Sequence, residues 1–190
     1  VAVTLSAQAI KFVIGLGVTM VLARLLSPAD YGLVAIAAAV TGFVAVFRDG
    51  GLSIVTVQRA EITDAQISTL FWINVTLGIG LALLVVILSP VVGWFYDNET
   101  LVLIVAALAV PFLLSGLSAQ HQALLQRQMR FKAIAVIEIV SLITSAGVGV
   151  ISALAGWGYW ALVTMGITSV ATNTALVLLF CRWRPGRPTR

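Results

Sequence analysis

The chain has 190 residues and a net charge of +4, with 61% of residues hydrophobic and only 9% charged, against about 25% charged in soluble domains. With a mean hydropathy of +1.10, this composition excludes a water-soluble domain and makes the chain an integral membrane protein, whose apolar surface is covered largely by lipid. The basic residues cluster between and after hydrophobic runs, where they report topology, so the positive charge implies no nucleic acid.

A helix needs about 20 mostly apolar residues to cross a bilayer. Six stretches qualify: Val1 to Leu22, Tyr31 to Val57, Gln66 to Phe95, Leu101 to Gln122, Ala133 to Ala155 and Trp157 to Cys181. The expected fold is therefore an all-α integral membrane protein, a six-transmembrane-helix bundle forming one domain over residues 1–190. The first stretch lacks the basic start of a signal peptide and carries Lys11 in its middle, on one face with Thr4, Gln8, Gly15 and Thr19. Because the chain starts inside an apolar run and stops within a basic tail, it is expected to be a fragment of a longer protein.

The second stretch holds Arg48-Asp49-Gly50-Gly51, and charge at that place requires an explanation. An ionisable group deep in hydrocarbon costs about 2.5 to 3.5 kcal/mol, so one reading has Arg48 and Asp49 lining a polar path. The other has them near the headgroups, pairing or snorkelling at the end of a span. Asn74 marks the third stretch. In the fourth, Pro111, Ser115, Ser118 and Gln122 share a face, and Pro111 is expected to kink or break the helix. The linker from Gln120 to Phe131 is read as a continuation of that helix, with a short amphipathic surface helix as the alternative.

Glu138, Ser141, Ser145, Gly149 and Ser152 align on the fifth stretch, and Thr164, Thr168 and Thr172 on the sixth. The turn between these two is Gly156-Trp157-Gly158-Tyr159. Small residues of this kind line ordinary helix contacts in membranes as readily as they line a path. Lys11 and Glu138 differ, because packing needs no charge. Lys11 is expected to be neutralised by Glu138 or Asp49, and Arg48 by Asp49, although Glu138 also lies close enough to Lys132 to be an interfacial carboxylate.

Arg127, Arg130 and Lys132 in one linker, and Arg182, Arg184, Arg187 and Arg190 in the tail, place both on the cytoplasmic side. Six spans then put both ends in the cytoplasm, with Asp97 to Thr100 and the Gly156 turn outside. Chemistry of the catalytic kind is missing from the pattern. His121 is the sole histidine, Cys181 the sole cysteine, and there are no paired acids, metal-ligand spacings or phosphate loops. The chain is read as a non-enzyme that needs neither cofactor nor metal.

Ala23-Arg24-Leu25-Leu26-Ser27-Pro28-Ala29-Asp30-Tyr31-Gly32 resembles the segment after the first span of bacterial lipid-linked oligosaccharide flippases, the polysaccharide-biosynthesis branch of the MOP exporter superfamily. Asp49-Gly50-Gly51-Leu52, Ser68 to Asn74, Ala123 to Phe131 and Gly158 to Leu162 resemble the same family in the same order. The resemblance implies the N-terminal lobe of a two-lobed transporter in the inner (plasma) membrane, whose second transmembrane half lies outside this chain. It further implies alternating-access flipping of undecaprenyl-pyrophosphate-linked oligosaccharide for surface polysaccharide, with membrane lipids as the other partners.

Matching motifs carry Arg24, Arg48 and Asp49 into the substrate cavity, while Lys11, Asn74 and Glu138 join them on their depth and face. A drug or cation exporter of the same superfamily is the rival, but cationic cargo favours acidic cavities and Lys11, Arg24 and Arg48 tilt positive. A membrane glycosyltransferase would require a large loop bearing acids or histidines. A structural membrane subunit leaves Lys11 and Arg48 unexplained.

Overall fold

The structure is a computed structural model that describes residues 2–48, 64–181, 183, 184 and 186, with side chains from residue 8 to 46 and from 65 onward. The helices are α1 (Ala2–Leu25), α2 (Pro28–Arg48), α3 (Asp64–Phe95), α4 (Glu99–Ala107), α5 (Val110–Arg127), α6 (Phe131–Leu154) and α7 (Tyr159–Phe180). Among the described residues they supply six spans long and apolar enough to cross a membrane, because α4 and α5 together make one from Glu99 to Arg127. The chain is thus a multi-pass, all-helical membrane protein.

Several helix ends have a local cause. Pro28 opens α2, where a missing N–H costs nothing. Asn98 caps α4 by accepting from the Thr100 N–H at 2.9 Å. The fourth span is broken between Ala107 and Val110, as expected from Pro111, whose ring removes one helical hydrogen bond and crowds the preceding turn. The linker that follows continues α5 helically to Arg127, so the surface-helix alternative is not adopted. Gly156 (φ 79°) and Gly158 (φ 54°) reverse the chain between α6 and α7 in conformations that side chains resist. The second span was expected to reach Val57, and its part beyond Arg48 lies outside the described residues.

The bundle is organised around α7, which packs along α6 and α5, while α3 packs along α5 and α4. α2 touches α3, α4 and α7, and α1 lies on the margin against α6. One apolar core joins Val44, Val85, Ile104, Phe112 and Val163 from five helices. A smaller one ties Leu22 and Leu26 to Ala153 and Ala161. α1 and α2 are the least covered spans, with 6% and 11% of their apolar windows buried, against 33% for α3.

Long-range hydrogen bonds fix the threading. Arg130, between α5 and α6, donates to the Phe180 carbonyl at the end of α7 (3.1 Å), where the helix dipole favours a cation. Gly186, past α7, donates to Ser68 Oγ and accepts from Trp72 Nε1 near the start of α3, both at 3.1 Å. One face of the bundle therefore gathers the starts of α1, α3 and α6 with the ends of α5 and α7. The opposite face gathers the α1–α2, α3–α4 and α6–α7 turns, and exposes Trp94, Phe95, Tyr96 and Trp157 there. Amphipathic rings at that level suit a membrane interface.

Candidate functional site

Lys11 is the tenth residue of α1 and Glu138 the eighth of α6, so each lies roughly 10 to 14 Å into its helix at 1.5 Å per residue. Both helices start on the same face, which brings the two side chains level. Lys11 Nζ donates to Glu138 Oε2 at 2.6 Å across 127 residues of sequence. The pairing expected from charge alone is formed with Glu138, and the other expected partner, Asp49, lies outside the described residues. The two side chains remain 26% and 37% exposed, so the pair is reachable from the open flank of α1.

The other candidates are spread out. Arg24 sits exposed in the last turn of α1, at the opposite face. Arg48 is described by its backbone alone, as the last residue of α2 on the starting face, and Asp49 lies outside the described residues. Asn74 is buried in the α3–α5 contact, where its Nδ2 donates to the Leu70 carbonyl at 3.0 Å. The bundle thus joins Lys11 to Glu138, holds Arg24 at the far end of the same helix, and keeps Asn74 apart.

The polar stripes resolve mainly into packing. Ser141, Ser145 and Ser152 are buried, and a Cβ on Gly149 would meet Met165 Sδ at 2.9 Å, so this face of α6 is pressed on α7. Thr164 and Ser145 spend their hydroxyls on carbonyls of their own helices. Ser141 Oγ, by contrast, is buried without a hydrogen-bond partner one turn beyond Glu138. His121 is buried edge-on to Phe71 (5.6 Å) and Trp183 (5.3 Å), a structural aromatic group that seats the segment after α7.

Sequence reasoning missed Asp30. Its Oδ2 accepts from the Ser27 N–H (2.9 Å) and hydroxyl (2.6 Å), while Ser27 Oγ accepts from the Asp30 N–H (3.2 Å). Its Oδ1 accepts from the Tyr159 N–H at 2.9 Å, the start of α7, so one carboxylate caps two helices. The Ser27-x-x-Asp30 spacing was a visible capping signal; the Tyr159 partner 129 residues away was not. Thr174, also missed, crosses from α7 to the Leu114 carbonyl of α5 at 3.2 Å.

Comparison with known proteins shows which family the chain resembles. The pattern of the family described as Polysaccharide biosynthesis protein matches residues 21–190. The lipopolysaccharide biosynthesis protein WzxC of Escherichia coli (strain K12) is 30% identical over 92% of this chain and 35% of its own length. The succinoglycan biosynthesis transport protein ExoT of Rhizobium meliloti (strain 1021) is 31% identical over 87% of this chain and 33% of its own. The teichuronic acid biosynthesis protein TuaB of Bacillus subtilis (strain 168) is 38% identical over 56% of this chain and 22% of its own. The chain thus spans about a third or less of these curated relatives. No solved structure matches it.

Proposed function

The chain belongs to the polysaccharide biosynthesis protein family, and from that premise we propose that it is the first lobe of a transporter that flips undecaprenyl-pyrophosphate-linked oligosaccharide across the inner membrane. The observation that carries this reading is the reachable Lys11–Glu138 pair on α1, the least covered span. An intramembrane cation open to one side is costly unless it serves a polar path. A pyrophosphate and its sugars need such a path, while the isoprenoid tail stays in lipid. Arg48 and Lys11 lie toward the starting face and Arg24 at the other end of α1, so the cations are set along the direction of movement. The arginine fork suits phosphate by binding two oxygens at once. Asn74 acts on this path through the packing of α3 and α5. The protein is a carrier in this reading, and cationic drug export is disfavoured because the candidate cations Lys11, Arg24 and Arg48 outnumber the acids Asp49 and Glu138.

Removing both members of the pair, Lys11→Gln with Glu138→Gln, leaves neither partner behind as an unpaired charge. The full-length double variant is expected at normal membrane level, with surface-polysaccharide export lowered about tenfold or more, the worth of one charged contact to phosphate. Normal export at normal abundance would refute the cationic path.

We place both ends of the chain in the cytoplasm, because Arg127, Arg130, Lys132 and Arg184 lie on the starting face. In a cysteine-free full-length background, with Cys181→Ser in this chain, Asn98→Cys is expected to react with impermeant reagent from outside, and Gln128→Cys only after the cytoplasmic side is opened. The reverse pattern inverts the topology.

A further inference from the structure

The side of α3 turned away from α5 is hollowed. Between Thr69 and Leu81, the side chains of Trp72, Ile73, Thr76 and Leu77 and the backbone of Gly80 wall a groove of about 580 Å³, formed among the described residues by α3 alone. Gly80 is a notch in it, exposed and with nothing within 4 Å of an added Cβ. The three polar side chains of this wall are already spent. Thr69 and Thr76 donate their hydroxyls to the Ala65 and Trp72 carbonyls one turn back, both at 2.9 Å, and Trp72 Nε1 donates to the Gly186 carbonyl at 3.1 Å. The groove therefore offers methyl groups, methylenes and an indole ring, which suit hydrocarbon and give a sugar or phosphate nothing to bond.

Its dimensions narrow the occupant further. Thr69 to Leu81 covers roughly 18 Å of helix, a little over half of a hydrocarbon core about 30 Å thick, so the groove matches one leaflet. A helix of that length, about 10 Å across, would fill roughly 1,400 Å³, more than twice the groove, so the fit is to a single hydrocarbon chain. A diacyl phospholipid brings two chains on one head, whereas a polyprenyl carrier brings one. Charge at the mouth points the same way. The Trp72 end opens toward the starting face, where exposed Arg184 lies two residues before Gly186 and Arg48 ends α2, the helix packed beside α3. One long chain below a strongly anionic head satisfies both the apolar wall and the cationic mouth.

Resting on the lipid-diphosphate reading above, we propose that this groove is a loading seat for the polyprenyl tail of the cargo in the cytoplasmic leaflet, which presents the diphosphate at the mouth before it is moved. The hydrophobic effect does not distinguish the groove from surrounding lipid, so selection comes from dispersion contact with a preformed wall. The bond from Trp72 to Gly186 holds that wall in place. Cations that hold the head also keep the tail close to the groove, which raises its effective concentration there.

The test uses purified full-length protein in mixed micelles and a polyprenyl-diphospho-N-acetylglucosamine probe with a diazirine in its head-proximal isoprene units, the cross-linked residues being read by mass spectrometry. Adducts are expected on α3 between Trp72 and Gly80, lost under excess unlabelled polyprenyl-diphospho-N-acetylglucosamine and kept under excess phosphatidylglycerol. Gly80→Leu fills the notch; it is expected to fold as the wild type does, to lose these adducts and to bind the probe roughly three- to tenfold more weakly, the loss of a few chain carbons' dispersion contacts. Thr76→Leu narrows the same groove and decides by the same readout if Gly80→Leu does not fold. Val136→Leu, at an exposed position of α6, is expected to change neither adducts nor affinity. Adducts confined to other helices, adducts that survive Gly80→Leu, or their displacement by phosphatidylglycerol overturn the seat, while probe binding itself leaves the lipid-transport reading standing. Absence of probe binding by the folded wild type overturns both.

Discussion

Gly116→Leu is expected to remove most folded protein from the membrane. A Cβ at Gly116 would lie 2.8 Å from the Asn74 carbonyl oxygen and 3.3 Å from Gly78 Cα; a Cβ at Gly78 would lie 2.8 Å from the Phe112 carbonyl. The obstacles are backbone on both sides, so no rotamer change relieves them. Overpacking that side chains can absorb already costs about 1 to 3 kcal/mol, and here α3 and α5 must separate. Separation is costly because helices in lipid are held by close contact, with no hydrophobic effect to replace it. It also disturbs buried Asn74 and Phe112 beside the contact. Gly80, two residues along α3, is exposed and has nothing within 4 Å of an added Cβ, so Gly80→Leu is the matched control and is expected to be silent in stability. Unfolding of purified protein in mixed micelles, with membrane abundance alongside, measures both. Equal stability of the two variants would mean that the close α3–α5 approach contributes nothing.

Asp30→Ala is expected to cost about 2 kcal/mol, because it strips the start of α2 and the start of α7 together. The Ser27 N–H and hydroxyl and the Tyr159 N–H all lose their acceptor. Alternative partners are limited, since α7 has no side-chain cap of its own at Gly158. Asp30→Asn keeps one acceptor oxygen but loses the charge that favours two helix N-termini, so it is expected to fall between wild type and alanine. The loss should appear as local opening: faster amide exchange at Tyr159 and Trp160, with α3 and α5 protected as before. Uniformly faster exchange across the bundle would show that the carboxylate does not act as a local clamp on α7.

Some features depend only on near neighbours in the chain, and these the sequence by itself determined. Apolar runs of about 20 residues dictated the spans because every backbone polar group in lipid must be satisfied within a helix. Pro111 broke the fourth span, and Gly156 and Gly158 turned the chain, through steric effects confined to one or two residues. The need of Lys11 for a counter-ion was equally legible, since charge in hydrocarbon is costly whatever surrounds it.

Which carboxylate met that need was decided by the bundle, which starts α1 and α6 on one face and sets Glu138 level with Lys11. The serines of α6 and the amide of Asn74 look alike in sequence whether they line a path or a contact, because polar small residues suit both. Only the close packing of α6 on α7 and of α3 on α5 separates the two. Asp30 shows the division within a single side chain. Its bond to Ser27 lies three residues away and could be read from the spacing, whereas its bond to Tyr159 exists only because the α1–α2 and α6–α7 turns meet on one face of the folded bundle.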